Sequence, residues 1–277
     1  MKQWILKKNV GLSYQQNLKI NLYQITQYIK FLLKSTNQHG VHSPFVYNLI
    51  TKCFYNKSNY ESYKNILNYK KELLKNKTKI SVTDLGVGSH IVKQKERSVS
   101  EMAKNAGTTY KRAKLLYRLA NYFEFKNILE LGTSLGIATQ AIALASPKAN
   151  ITTIEGCSNI SEFTKKNFEK HKLQNINLIT KNLDAITKTL ASNNYDLIFF
   201  DGNHQKEATL NYFETLLETA HNDSVFIFDD IYWSKGMTEA WETIKQHPKV
   251  TVTIDTFFWG FVFFRKEQEK EHFTIRV

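Results

Sequence analysis

Ile128-Leu-Glu-Leu-Gly132-Thr-Ser-Leu-Gly136-Ile-Ala-Thr139 joins a short apolar run, a glycine turn and the start of an apolar helical pattern. A buried strand that enters such a turn and then a helix is the first half of a βαβ unit. Glycine there lets the backbone approach a ligand where a Cβ would clash. The spacing separates ligand classes. A dinucleotide fingerprint places glycines first, third and sixth. Counted from Gly132, those places hold Gly132, Ser134 and Ile137, so that pattern fails. A phosphate loop fails too, since no Gly-Lys-Ser/Thr is present. What remains is Glu130-x-Gly132-x-x-x-Gly136, with Thr133 and Ser134 inside the turn.

Working outward, the chain from Asn127 alternates short apolar runs with amphipathic stretches. Strands are expected at Asn127–Leu131, Ile151–Ile154, Ile176–Thr180, Tyr195–Phe200 and Val225–Phe228. The runs at Tyr195–Phe200 and Val225–Phe228 are continuous, as in strands buried on both faces. Helices are expected at Leu135–Ala145, Ser158–Lys172, Ala185–Ala191, Glu207–Thr219 and Met237–Gln246. The last two runs, Val250–Phe258 and Gly260–Phe264, have no helix between them and read as an antiparallel pair. The fold class is therefore α/β: a mostly parallel sheet covered by helices, with a C-terminal hairpin. Ligands in such sheets bind beyond the C-terminal strand ends. Those ends carry Gly132, Glu155, Asp201, Asp229 and Asp230.

Glu155 stands 23 residues after Gly132, at the end of the second strand. A carboxylate there can accept both hydroxyls of a ribose, the task of the acid about 20 residues on in nucleotide-binding βαβ units. The alternative is a helix N-terminal acid that complements the dipole. Asp184 follows the third strand and can reach an adenine amine, or simply cap a helix. A second glycine motif, Asp84-Leu-Gly86-Val-Gly88-Ser89, lacks an apolar helix after it and reads as a tight loop.

The first part of the chain differs. Asn21–Lys34 is an expected amphipathic helix. Ser43-Pro44 looks like a helix start, and Ser98–Glu101 fits a capping box. A helix is expected over Thr109–Phe123. Residues 1–126 hold 23 basic against 6 acidic side chains, +17, and residues 127–277 hold 15 against 19, −4, within a net charge of +13. A basic half can attract nucleic acid or simply solvate its helices with scattered lysines. Apolar residues make up 42% of the 277, enough for a full core. No run approaches the ~20 apolar residues of a membrane span. No signal peptide is seen, because Trp4-Ile5-Leu6 is cut short by Lys7 and Lys8. Cys53 and Cys157 lack CxxC spacing and are expected as buried free thiols in a cytoplasmic protein.

On these residues, Asn127–Phe264 resembles the Rossmann-like S-adenosylmethionine-dependent methyltransferases. The resemblance is specifically to O-methyltransferases of the catechol and caffeoyl-coenzyme A type. It rests on Leu-Glu-Leu-Gly-Thr-Ser-Leu-Gly, Asp196-Leu-Ile-Phe-Phe-Asp201-Gly-Asn-His204 and Phe226-Ile-Phe-Asp229-Asp230-Ile, with the helix Tyr110–Phe123 in the family's place. It implies a seven-stranded sheet in a domain 109–277; residues 1–108 lie outside the resemblance and are expected as a basic, mainly helical extension that forms a substrate cap or lid. S-adenosylmethionine contacts fall on Glu130, Gly132, Thr133, Ser134, Gly136, Glu155, Asp184 and Asp201. A divalent cation, Mg²⁺ by its three oxygen ligands, falls on Asp201, Asp229 and Asp230. The catalytic pair is Asp201 and His204; the latter stands where the family often has a basic lysine, and is expected as the proton acceptor. The implied reaction is O-methylation of a small-molecule hydroxyl. An RNA methyltransferase is the alternative suggested by the basic half, although Asp-Gly-Asn-His replaces the Pro-Pro-aromatic motif of the base-amino enzymes. A non-catalytic cofactor-binding scaffold is a third reading.

Overall fold

Apolar runs in the second half of the chain become strands, and the amphipathic stretches between them become helices. A computed structural model describes residues 14–83, 94–105 and 107–277. In chain order, α1 (Tyr14–Lys34), α2 (Pro44–Leu49) and α3 (Ser62–Lys75) precede a hairpin, β1 (Lys79–Thr83) and β2 (Gln94–Ser98). Then come α4 (Val99–Asn105), α5 (Tyr110–Phe123), β3 (Asn127–Leu131), α6 (Ile137–Ala145), β4 (Asn150–Glu155) and α7 (Ser158–Lys170). These are followed by β5 (Ile176–Thr180), α8 (Leu183–Leu190), β6 (Leu197–Phe200), α9 (Lys206–Leu216) and β7 (Val225–Asp229). The chain ends with α10 (Lys235–Gln246), β8 (Val252–Asp255), β9 (Trp259–Phe263) and β10 (Glu271–Thr274). Two compact units result, Met1–Tyr47 with Ala191–Val277, and Asn48–Leu190, so the expected extension 1–108 contributes to both. The loop Asp84–Ser89 lies outside the described residues.

In the unit Asn48–Leu190, β3, β4 and β5 pair in parallel, with Leu131 opposite Ile154 and Glu155 opposite Thr180. The helix starts follow their capping chemistry. Thr109 caps α5 by accepting from the Arg112 amide. Ser98 and Glu101 form the reciprocal capping box of α4, hydroxyl to amide at 3.3 Å and amide to carboxylate at 3.3 Å. The α5 guanidinium Arg118 satisfies the carbonyls of Cys53 and Phe54 at the end of a π-turn. Cys53 and Cys157 are buried free thiols. Burial pushes the Cys53 thiol up to about 12, which leaves it unreactive.

In the other unit, β6 and β7 are parallel, β9 is antiparallel to both β7 and β8, and β10 runs parallel to β8. Every residue of β6, β7, β8 and β9 is buried. Among the described residues the large sheet has eight strands where seven were expected, and the unforeseen one is β10. Its Glu-His-Phe-Thr has one buried apolar residue, Phe273, and no hydrophobic alternation to announce it. Main-chain bonds hold it: the Thr36 amide to the Thr274 carbonyl and the Arg276 amide to the Thr36 carbonyl. Trp241 is core, 1% exposed, packed against Gly260, where a Cβ would meet its ring at 2.6 Å. No helix among the described residues is long and apolar enough to cross a membrane.

Candidate active site

The turn after β3 is held in a rare backbone conformation. Gly132, Ser134 and Gly136 all have positive φ, at 105°, 49° and 71°. The amides of Gly132 and Thr133 both bond the Ile154 carbonyl at 3.0 Å, which pins the turn to the end of β4. Gly136 has no alternative residue: a Cβ would sit 2.4 Å from Phe168 and 2.9 Å from Thr164, both on α7. The α6 N-terminus is thereby brought down onto α7.

Glu155 closes the turn from the other side. One carboxylate oxygen accepts the Ser134 amide at 2.8 Å, the other the Cys157 amide at 2.9 Å. Burial raises this carboxyl above the usual range, and the amides of Cys157, Ser134 and Gly156 hold part of that rise back. Each oxygen has a second lone pair, so the group keeps capacity for hydroxyl donors. The helix-dipole alternative places it too loosely, since Glu155 ends β4 and is not in the first turn of α7.

Glu130 is fully buried. Its Oε2 accepts Thr139 and Thr153 hydroxyls, each at 2.5 Å. Thr153 has one proton and spends it there, so Thr133 must donate to Thr153 across their 2.6 Å contact. A relay thus runs from the turn, Thr133 to Thr153 to Glu130. Glu130 Oε1 is buried with no hydrogen-bond partner. Burial pushes this carboxyl up to about 7. Asp184 is exposed in the first turn of α8, whose start is capped by Asn182 accepting the Asp184 amide. A cavity of about 320 Å³ elsewhere in this unit is lined by Tyr69, Glu72, Lys75, Lys170 and His171. Tyr69 donates from there to the Leu135 carbonyl of the turn.

The acidic strand ends lie in the other unit. Asp201 follows β6 and Asp229 ends β7, side by side because Phe200 is in register with Phe228. His204, three residues beyond Asp201, returns toward it through a turn at Asn203, φ 48°. Ligand atoms of Asp201, His204 and Asp229 all lie within 4.8 Å of one another. Asp229 is buried, and its Oδ1 accepts the Trp259 indole at 2.8 Å. Asp230, expected as the third oxygen ligand, is outside this group. The strand ends at Asp229, and Asp230 turns left-handed, φ 54°, so that its amide bonds the Phe258 carbonyl. The structure thus brings together two of the three expected cation ligands, and puts the expected proton acceptor where the third would stand.

Sequence reasoning missed four contributors: Thr139 and Thr153 on Glu130, Trp259 on Asp229, and Asn203, whose Oδ1 is buried without a partner. Thr139 and Asn203 lie within the quoted motifs, where their residue type signals no role, and Thr153 and Trp259 are remote in sequence from the acids they bond. Tyr232 and Trp233, aromatic residues just after β7, have structural work: Tyr232 donates to Asp255 at 2.5 Å, and the Trp233 carbonyl accepts from Gln24.

A glycine turn between a parallel strand and a helix, as in the unit Asn48–Leu190, defines a Rossmann-like α/β fold. Comparison with known proteins narrows this. Residues 129–231 match a family model described as a methyltransferase domain. Over that stretch the chain is similar to a methyltransferase domain, and its fold is that of solved O-methyltransferases. An O-methyltransferase of Bacillus cereus in complex with SAH is similar at 17% identity and a TM-score of 0.52, covering 76% of this chain and 94% of that one. TomG of Streptomyces achromogenes, an O-methyltransferase involved in tomaymycin synthesis, solved with SAM, is 16% identical with a TM-score of 0.53, covering 83% and 99%. The SAH-bound Podospora anserina methyltransferase PaMTH1 is 12% identical with a TM-score of 0.56, covering 94% and 100%. No curated protein matches the chain.

Proposed function

We propose that this protein is an S-adenosylmethionine-dependent O-methyltransferase that acts on a small-molecule hydroxyl with the help of a divalent cation. The observation that carries the reading is the Gly132–Gly136 turn, held by three left-handed residues and tied through the Ser134 amide to Glu155. The residues fit the cofactor. Glu155 would take the ribose hydroxyls on its remaining lone pairs, and the buried orphan Oε1 of Glu130 asks for a donor such as an α-ammonium group. Asp184, exposed beyond β5, would serve the adenine end.

When bound, the cofactor would supply an electrophilic methyl on sulfur to the hydroxyl oxygen, with the thioether as leaving group. A cation held at the acidic strand ends would supply charge that lowers the hydroxyl pKa, so that solvent water can take the proton. Asp201 and Asp229 would hold that cation, and the Trp259 indole fixes the Asp229 carboxylate in orientation. Positioning does the rest, because methyl transfer needs an in-line nucleophile.

Calorimetric titration with S-adenosylhomocysteine tests the cofactor: wild type binds, and Glu155→Ala loses about tenfold or more, a charged hydrogen bond or two. Failure of wild type to bind would end the reading. Methyl transfer to a panel of small phenols tests the cation. Asp201→Ala is expected to keep its melting temperature and lose turnover; turnover that survives both this change and chelation removes the cation. Trp259→Phe keeps most of the volume but frees the Asp229 oxygen. It is expected to weaken cation affinity about 10–100-fold, as loss of a ligand's supporting bond does.

A further inference from the structure

We propose that His204 is itself a cation ligand, so that Asp201, His204 and Asp229 form a mixed oxygen–nitrogen site that selects a first-row transition cation over Mg²⁺. This rests on the cation part of the reading above and changes which cation it is.

The spacing separates a ligand from a hydrogen-bond partner. His204 Nε2 stands 3.9 Å from Asp201 Oδ1. That is too long for a hydrogen bond. It leaves room for an ion between the two groups: bonds of roughly 2.1 Å put neighbouring ligands about 3.0–3.4 Å apart, a closure of about half an ångström from this spacing. A second His–Asp pair in the same unit shows the contrast: His221 Nε2 meets Asp196 at 3.0 Å, an ordinary hydrogen bond with no third acid involved. At His204 the third group is present, Asp229, within the same 4.8 Å sphere.

The backbone holds the imidazole there. Asn203 is left-handed and its carbonyl accepts the Gln205 amide at 2.6 Å, a tight turn. The Asn203 side-chain amide bonds Tyr212 on α9, and Lys206, the next helical residue, pairs with Glu239 on α10. Asp230, which would complete an all-oxygen set, is committed elsewhere in main-chain conformation.

Donor chemistry then selects the ion. Carboxylate and water suit Mg²⁺, and imidazole nitrogen suits Fe²⁺, Co²⁺, Ni²⁺ and Zn²⁺. Mg²⁺ also demands a near-ideal octahedron of oxygens and dehydrates reluctantly. A nitrogen that holds a cation holds no proton, so this placement replaces the proton-accepting role expected for His204.

The test uses the full-length protein without added acceptor. Mg²⁺, Mn²⁺ and Co²⁺ are titrated by calorimetry, and bound Mn²⁺ is read by pulsed electron paramagnetic resonance for imidazole nitrogen coupling. The expected result is Co²⁺ binding at least about 100-fold tighter than Mg²⁺, with nitrogen coupling present. His204→Ala should remove the coupling and cut the Co²⁺ preference about tenfold or more, while His221→Ala, a folding and surface control, changes neither. Cation binding with no nitrogen coupling, or coupling that survives in His204→Ala, overturns the inference and leaves the proposed methyl transfer standing. No binding of any cation overturns it together with the cation part of that reading, and the S-adenosylhomocysteine titration then reports the nucleoside part separately.

Discussion

Gly136→Ala is expected to lose about 2–5 kcal/mol of stability and most of the affinity for S-adenosylhomocysteine. Two costs add. An L residue at φ 71° pays about 1–2 kcal/mol for the left-handed conformation. The new Cβ, 2.4 Å from Phe168 and 2.9 Å from Thr164, forces overpacking worth about 1–3 kcal/mol. Neither neighbour can yield cheaply, since Phe168 is 4% exposed and Thr164 is fully buried. The same glycine accepts the Gln140 amide in the first bond of α6 and donates to the Thr133 carbonyl. Relief of the clash therefore shifts the turn, Ser134 leaves Glu155, and the proposed ribose site opens. Gly236→Ala is the control. There a Cβ finds its nearest neighbour at 3.4 Å, and alanine in a helix is favoured over glycine by about 1 kcal/mol. Urea midpoints and the S-adenosylhomocysteine titration, run on both variants, check the contrast. A Gly136→Ala protein as stable as wild type would show that the turn does not have this shape.

The two carboxylates of the turn have opposite environments. Glu155 meets two backbone amides, which stabilise its charge, while Glu130 meets only hydroxyls and has one oxygen bare. The amides offset part of the burial cost at Glu155, and its two bonds order the loop before any ligand arrives. Glu130 is fixed in place, by Thr139 and Thr153, but its charge is left expensive. Preorganisation at one acid and stored electrostatic cost at the other are both features of binding sites.

The fold was legible wherever apolar periodicity was strong. β3 and β5 have the expected bounds because Asn127–Leu131 and Ile176–Thr180 are closed by glycine or polar residues. The Ser98–Glu101 box and the Ser43-Pro44 start were legible because capping is local chemistry, carried by neighbours in sequence. The strand β10 was not, because its Glu-His-Phe-Thr carries no apolar alternation and part of its bonding comes from Thr36, far away in sequence. The candidate site divides the same way. The positive φ angles at Gly132 and Gly136 follow from glycine spacing, and the meeting of the turn with Glu155 follows from adjacent parallel strands. The exchange of His204 for Asp230 turns on two left-handed residues, Asn203 and Asp230, that no periodicity marks. Asn and Asp enter that region more readily than other side chains, so the dipeptides around them were a weak signal that went unread.

Stability and cofactor affinity are expected to respond to pH in opposite senses through Glu130. Its folded pKa is raised by burial from 4.5 to about 7. Below 4.5 both folded and unfolded chains carry the proton, and the burial is uncharged. As pH rises from 4.5 to 7 the unfolded chain loses its proton first, so stability falls, and above 7 the deficit is constant. Its size is about 3 kcal/mol from 1.36 kcal/mol per unit. Glu130→Gln removes the ionisation, so the urea midpoint should fall less between pH 5 and pH 8 in the variant than in wild type. If the orphan Oε1 receives the cofactor's ammonium group, the charged form is the binding form. Wild-type affinity for S-adenosylhomocysteine should then rise about tenfold or more from pH 5.5 to pH 7.5, with proton release seen as a buffer-dependent binding heat, and Glu130→Gln should lose both. A stability slope that disappears in the variant while the affinity slope stays would place Glu130 under the turn as a structural acid, with the ammonium held elsewhere.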